Sequence, residues 1–209
     1  MNDDDNQDRK THGSRGRPRE FDRGTALEDA LKLFWSKGYI QTTMSQLCDA
    51  MRIKSPSLYC AFGSKAELFL EALAYYKSYY WTDAFKRFME TEDIYKATEN
   101  LFREAAIILL KPDAPCGCLT VYSAMTLPPN EKNILSTITK MRQDTKKMFR
   151  DKLMCAVKSR QIPTDSNIPA IAGALTNFFE GLSLQARDDI CLAELLEISA
   201  LGVRLLPSK

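Results

Sequence analysis

The 209-residue sequence predicts an all-α protein of about nine helices. Three observations carry this. Apolar residues recur at three- and four-residue spacing through most of the chain beyond Phe21, no segment sustains a period of two, and the interruptions are Pro, Gly and Asp steps that end helices. The composition, 44% hydrophobic and 27% charged, is that of an ordinary globular chain. No apolar run approaches the roughly 18–20 residues that a membrane span requires, so no membrane partner is expected. The opening Asn2-Asp3-Asp4-Asp5 is acidic, with no apolar segment after it, which is unlike an export signal; a cytoplasmic location and reduced thiols at the six cysteines follow as expectations.

Residues 1–20 contain almost nothing to bury and are read as a disordered basic arm. Asp22 is the expected N-cap of helix 1, in which Ala26, Leu27, Ala30, Leu31 and Phe34 recur at helical spacing up to Gly38, a residue suited to a left-handed C-terminal cap. Thr43 and Gln46 form a capping box that opens helix 2, running to about Met51. Ser55-Pro56 reads as an N-cap followed by proline in the first helical position, starting a short helix 3 that ends near Phe62-Gly63. Ser64 and Glu67 make a second capping box. Leu68, Phe69, Ala72, Leu73 and Tyr76 carry helix 4 towards Trp81, and a short helix within 82–91 either continues it or stands apart. Further helices are expected at about 93–110, 117–127, 131–160, 168–187 and 191–206. The breaks fall at Lys111-Pro112, Pro128-Pro129, Pro163 and Asp188-Asp189. This divides the chain into the arm (1–20), a small helix-turn-helix domain (21–68, the motif itself about 42–61) and a larger helical domain (69–209).

Charge separates these units. Residues 9–65 hold eleven Lys and Arg against five acids, residues 1–8 hold four Asp, and residues 66–209 hold eighteen of each sign. A basic excess confined to one segment suits a polyanion partner for that segment, or else a solvated surface. Two short helices, 43–51 and 55–61, behind a longer one have the proportions of a helix-turn-helix. Helical proteins also contain such pairs by chance.

The residues are more specific than the proportions. Gly38-Tyr39, Thr42-Thr43-Met44, Leu47, Ile53, Ser57-Leu58-Tyr59, Phe62 and Lys65-x-x-Leu68 resemble the TetR-family signature at matching spacing, and Pro56-Ser-Leu-Tyr59-Cys-Ala-Phe62-Gly63 is similar to one branch of that family. The likeness covers about residues 20–70; beyond it, only length, helix count and helical character match. Two residues depart from the pattern: Lys54 stands where the family often has serine, and Arg52 stands where the turn usually has glycine, so Arg52 either adopts a left-handed conformation at a cost of about 1 kcal/mol or uses another turn. The resemblance implies a ligand-responsive transcriptional regulator, most simply a repressor, that binds a double-stranded DNA operator as a homodimer. It places Thr43, Tyr59 and Lys65 on phosphates, and Lys54, Ser55 and Ser57 near bases or adjacent phosphates. Leu47, Leu58 and Phe62 read as core. Arg15-Gly16-Arg17-Pro18-Arg19 is similar to the core of an AT-hook, so Arg15, Arg17 and Arg19 are candidates for a narrow minor groove, or form a solvated flank.

The resemblance further implies a dimer formed by the last two long helices and a ligand cavity that acts on helix 4. Ile171, Leu175, Phe178, Phe179 and Leu182, with Leu195, Ser199 and Gly202, are the interface candidates; the alternative is that these stripes close the core of a single chain. Tyr76, Tyr80, Phe102, Cys118, Tyr122, Met125 and Met141 are candidates to line the cavity. Cys116-Gly117-Cys118 offers a competing thiol-based redox, electrophile or metal response, although a Gly-Cys-Leu here resembles the family's packing pattern. The one histidine, His12, lies in the arm, and no phosphate-binding glycine loop or distinctive carboxylate pair occurs, so neither an enzyme, a cofactor nor a metal site is expected. Activation in place of repression stays open.

Overall fold

The computed structural model describes residues 21–208. The arm, with Arg15, Arg17 and Arg19, lies outside them. Ten α-helices follow in order: α1 Arg23–Lys37, α2 Met44–Ala50, α3 Ser55–Phe62, α4 Lys65–Tyr76, α5 Thr82–Glu90, α6 Ile94–Leu109, α7 Leu119–Thr126, α8 Lys132–Lys158, α9 Ile168–Gln185 and α10 Leu192–Leu201. A π turn, Lys77–Trp81, joins α4 to α5 without a break in helical backbone, and a 3₁₀ turn, Gly202–Leu205, ends α10. Counting the rod from α4 through α5 as one element leaves nine helices, as expected, and the described residues contain no strand.

Local chemistry sets the first boundaries. Asp22 caps α1 by accepting from the Gly24 and Thr25 amides, which holds its carboxyl below the usual aspartate range. Both capping boxes form, Thr43 with Gln46 and Ser64 with Glu67. Helix α3 differs from its expected start by one residue. Lys54 is its N-cap, with no side-chain capping bond, and Pro56 stands one position further in. Proline is tolerated throughout the first turn, where no intrahelical N–H partner is lost, so it does not fix the cap to one residue.

The three N-terminal helices close on α4 through Leu31, Phe34, Leu47, Leu58 and Phe69, all fully buried, with Phe34 edge-on to Phe69 at 4.9 Å. Arg23 holds Glu71 through two bonds of 2.5 and 2.7 Å and lies over the Phe62 ring, so α1, α3 and α4 are tied at one point. A second core gathers Phe88, Phe102, Phe149 and Phe179 from α5, α6, α8 and α9. Buried Lys152 of α8 donates to the Met89 carbonyl at 2.9 Å and to that of Thr91, capping the end of α5; burial pushes its ammonium below the usual lysine range. The two cores meet where the Trp35 indole N–H donates to the Gly117 carbonyl at 3.1 Å. Gly117 has φ +80°, and a Cβ there would lie 2.9 Å from the Ser183 carbonyl oxygen, so the crossing requires glycine. No described helix is long and apolar enough to cross a membrane.

Candidate nucleic-acid interface and inner pocket

The turn between α2 and α3 is built on Arg52, whose φ of +53° is left-handed. Around it the Ile53 amide donates to the Cys48 carbonyl and the Arg52 amide to that of Asp49, the paired bonds of a Schellman motif. Of the two turns open to a non-glycine residue here, the chain uses the left-handed one. Thr43, Lys54, Ser55, Ser57 and Tyr59 are all exposed, gathered on the starts of α2 and α3 and the first turns of α3, while Leu47, Leu58 and Phe62 are buried beneath them. Lys65 stands apart from this cluster. Its ammonium sits 4.4 Å above the Tyr39 ring and is pushed below the usual lysine range by burial, against an opposing pull from Glu131.

The cations of this region fall into two sets. Arg23 is paired with Glu71 and Lys32 with Glu28. Among the described residues no ion pair engages Lys37, Arg52 or Lys54, and Arg52 and Lys54 flank the start of α3. Helix starts also present unpaired amides with a positive dipole end, so this edge offers hydroxyls, ammonium, guanidinium and N–H groups together. That combination binds phosphates and reaches base edges when a helix enters a groove.

Behind it lies a cavity of about 40 Å³ between the rod and helices α7, α8 and α9, walled by Tyr76, Trp81, Phe85, Val121, Met141 and Phe179, with Cys118, Thr120 and Thr145 adding polar atoms. Lys77, Arg142 and Glu180 complete its lining. The Tyr76 hydroxyl donates to the Cys118 sulfur at 3.2 Å, and Cys118 stands 3.0 Å from the Thr120 hydroxyl. Full burial holds the Tyr76 phenol well above its ordinary pKa, so it remains a donor. Tyr76 also packs edge-on against Trp35 of α1 at 4.8 Å, so one residue separates the cavity from the helix behind the turn.

Of the expected lining residues, Tyr76, Cys118 and Met141 meet here; the other four do not. Tyr80 packs against Trp35 and Tyr79, Phe102 is locked between Phe149 and Phe178, Tyr122 lies under the Arg187 guanidinium, and Met125 is exposed in a neighbouring groove. Arg142 and Glu180 are 38 residues apart, and no spacing signal marks such a pair. The interface candidates divide in the same way. Leu175, Leu182, Leu195 and Ser199 are buried within this chain, and Phe179 walls the cavity. Gly202 is also internal, since a Cβ there would sit 2.3 Å from the Phe102 ring. Ile171 and Phe178 are half-buried. Exposed on α9 and α10 are Ala170, Leu184, Leu192 and Leu201, together with the polar Asn177, Gln185, Glu194 and Glu197; Ala174 and Gly181 are half-buried in the same way, with open space above Gly181.

A helix-turn-helix whose unpaired cations and hydroxyls share one edge, braced through Trp35 against a hollow helical body, is the plan of a DNA-binding transcriptional regulator. The comparisons specify which. The family model for bacterial regulatory proteins of the tetR family matches residues 26–72. The HTH-type transcriptional repressor ComR of Escherichia coli strain K12 is 32% identical over 196 residues, 93% of each chain. The HTH-type transcriptional repressor BdcR of the same organism is 30% identical over 122 residues, 57% of this chain and 60% of that one. Among solved structures, a cysteine mutant of the TetR family transcriptional regulator CifR, complexed with 26-base-pair double-stranded operator DNA, superimposes with a TM-score of 0.87 at 31% identity, over 92% of this chain and all of that one. The chain belongs to the TetR family of bacterial regulators.

Proposed function

We propose that this protein is an operator-specific repressor that binds DNA as a homodimer through residues 21–68 and is released by a small organic molecule held in residues 69–209. The observation that carries the reading is the edge formed by Thr43, Lys54, Ser55, Ser57 and Tyr59, exposed together over a closed core. In this reading Thr43, Tyr59 and Lys65 hold phosphates, Lys54, Ser55 and Ser57 reach bases or the phosphates beside them, and Arg15, Arg17 and Arg19 of residues 1–20 follow the minor groove. The likeness of Pro56–Gly63 to one branch of the family supports reading α3 as the recognition helix of that branch. The repressor names of ComR and BdcR, and the operator in the CifR complex, support repression and a duplex partner.

The dimer is assigned to α9 and α10, with the contact moved outward from the residues first expected. Small Ala170, Ala174 and Gly181 admit close approach, and Leu184, Leu192 and Leu201 supply apolar surface. Ile171 and Phe178 remain partial contributors. Release is assigned to the contact between ligand and rod: the space is small, about 40 Å³, so an organic ligand entering it presses on Tyr76, Trp81 and Phe85 as well as on Met141 and Phe179. Those three side chains ride on the rod that carries the helix-turn-helix. A ligand that favours the displaced rod weakens operator binding, and operator weakens ligand binding by the same factor.

The test is selection of bound duplexes from randomised DNA, followed by anisotropy titration of the selected site. A two-fold site with half-sites about one helical turn, roughly 34 Å, or a small multiple apart, occupied by two or more chains, is expected. A single half-site bound by a monomer contradicts the reading. A second reading has one observation in its favour: Cys118 lines the cavity between two hydroxyls. If oxidant or electrophile releases the operator and Cys118→Ser abolishes that release, a thiol response replaces the non-covalent ligand.

A further inference from the structure

We propose that the molecule taken by the inner pocket is an organic carboxylate, its head on Arg142 and its apolar body between the aromatic walls. This rests on the reading of the protein as ligand-released and supplies the chemical class of that ligand. Arg142 of α8 and Glu180 of α9 form a two-pronged pair, Nε to Oε1 at 2.8 Å and Nη2 to Oε2 at 2.5 Å. The pair stands at a junction. It borders the 40 Å³ aromatic cavity on one side and, on the other, an open depression of about 250 Å³ that also involves Lys146, Thr176 and Asn177.

Three features of this junction select an anion. Glu180 occupies only one edge of the guanidinium; Nη1 has no partner among the described residues, and the Arg142 side chain is 45% exposed, so a second carboxylate can dock without displacing the first. Charge lining the two spaces is unbalanced, with Lys77, Arg142 and Lys146 against Glu180 alone. Lys77 has only a loose partner, Asp144 at 3.9 Å, so a positive surplus remains even when that acid is counted. Lastly, the walls beyond the pair are mostly Trp81, Phe85, Met141 and Phe179, which suit an apolar body, and the further charged group on that lining, Lys77, is again a cation. A cationic ligand would face the positive surplus of Lys77, Arg142 and Lys146, and a neutral one would leave that surplus unmatched.

The test uses the full chain and three matched probes, 4-phenylbutyrate, its amide, and 4-phenylbutylamine, with binding followed by calorimetry and by tryptophan fluorescence. The acid is expected to bind at least about tenfold more tightly than the other two, the scale of one charge-assisted hydrogen-bonded contact. Arg142→Gln should weaken it by about tenfold or more, and Arg142→Lys, which keeps the charge but loses the planar fork, by nearly as much. Glu180→Gln should tighten it by about two- to fivefold, by removing the competing negative charge. Equal or better binding of amine or amide, indifference to both Arg142 variants, or no binding of any probe overturns the proposal. Should the Arg142 variants fail to fold by circular dichroism, the probe series and Glu180→Gln still decide. Operator release is scored separately: acid binding that depends on Arg142 but leaves operator affinity unchanged upholds the carboxylate site and removes the ligand-release reading.

Discussion

Two helix pairs in this molecule leave surface that the chain itself does not cover, and they do so in opposite ways. Helices α2 and α3 point their ends outward, with the hydroxyls of Thr43, Ser55 and Ser57 and the charges of Lys54 and Arg52 gathered at the helix starts and in the turn between them. Helices α9 and α10 turn their sides outward, and what shows there is Ala170, Leu184, Leu192 and Leu201 with half-buried Ala174 and Gly181, among the polar Asn177, Gln185, Glu194 and Glu197. An end studded with polar groups suits a partner that brings charge in a repeating array, whereas a side of small and branched apolar residues suits another helix. The partner class can thus be read from which part of a helix is left bare, before any ligand is known.

The largest effect should come from placing charge on the bare side. Leu184→Glu in the full chain should shift a dimer to monomer at micromolar concentration by sedimentation velocity, because a carboxylate enclosed between apolar helices costs several kcal/mol. Operator affinity should fall with it, since two linked half-sites bind far more tightly than one. If Leu184→Glu stays dimeric while charge at the half-buried Ile171 or Phe178 dissociates it, the contact lies where the sequence first placed it. At the bare ends, Lys54→Ala should lower operator affinity by about tenfold and reduce the slope of log K against log salt by roughly one. A change of base preference with no change of slope would make Lys54 a reader of bases and not a phosphate clamp.

Smaller effects sharpen the comparison within the chain. Arg52→Gly should stabilise the fold by up to about 1 kcal/mol in urea unfolding, because glycine occupies the left-handed turn without the Cβ penalty, while weakening DNA binding through the lost charge. Unchanged DNA affinity would remove Arg52 from the interface. Ser123, whose hydroxyl is buried on α7 without a hydrogen-bond partner, gives the smallest expected change: Ser123→Ala should be neutral or stabilising by about 1 kcal/mol. A clear loss of stability would mean that the hydroxyl is bonded in solution.

The ends were legible in the sequence and the sides were not, for a physical reason. Capping is local, so Asp22, Thr43 with Gln46 and Ser64 with Glu67 announce themselves within four residues, whereas Arg52 was legible only as an unusual turn residue with two conformations open to it, and its φ decides for the left-handed one. Helix α9 is apolar on nearly every side, so its sequence offers two plausible stripes. Only the packing of Leu175 and Leu182 against the neighbouring helices decides which one faces inward. The cavity was legible only in part, because Tyr76, Cys118 and Met141 are brought together by contacts across 65 residues of chain while Phe102 and Tyr80 satisfy themselves elsewhere.

The π turn also bears on how the rod tolerates a change of length. The Thr82 amide reaches back five residues to the Lys77 carbonyl, one more than an α-helix allows, so this stretch holds one residue beyond what an unbroken rod of α-helix would need. A helix too well packed on either side to rotate accommodates one extra residue as such a turn. Relatives with an unbroken rod should therefore align with a one-residue gap between Lys77 and Trp81. Removing one residue there from this chain should heal the turn and swing Phe85 and Phe88 about the axis, away from the partners they now meet in Trp81 and Phe149. A change of one residue at this point would therefore redraw the pocket wall in one step and, because the same rod carries the helix-turn-helix, turn that end relative to the body.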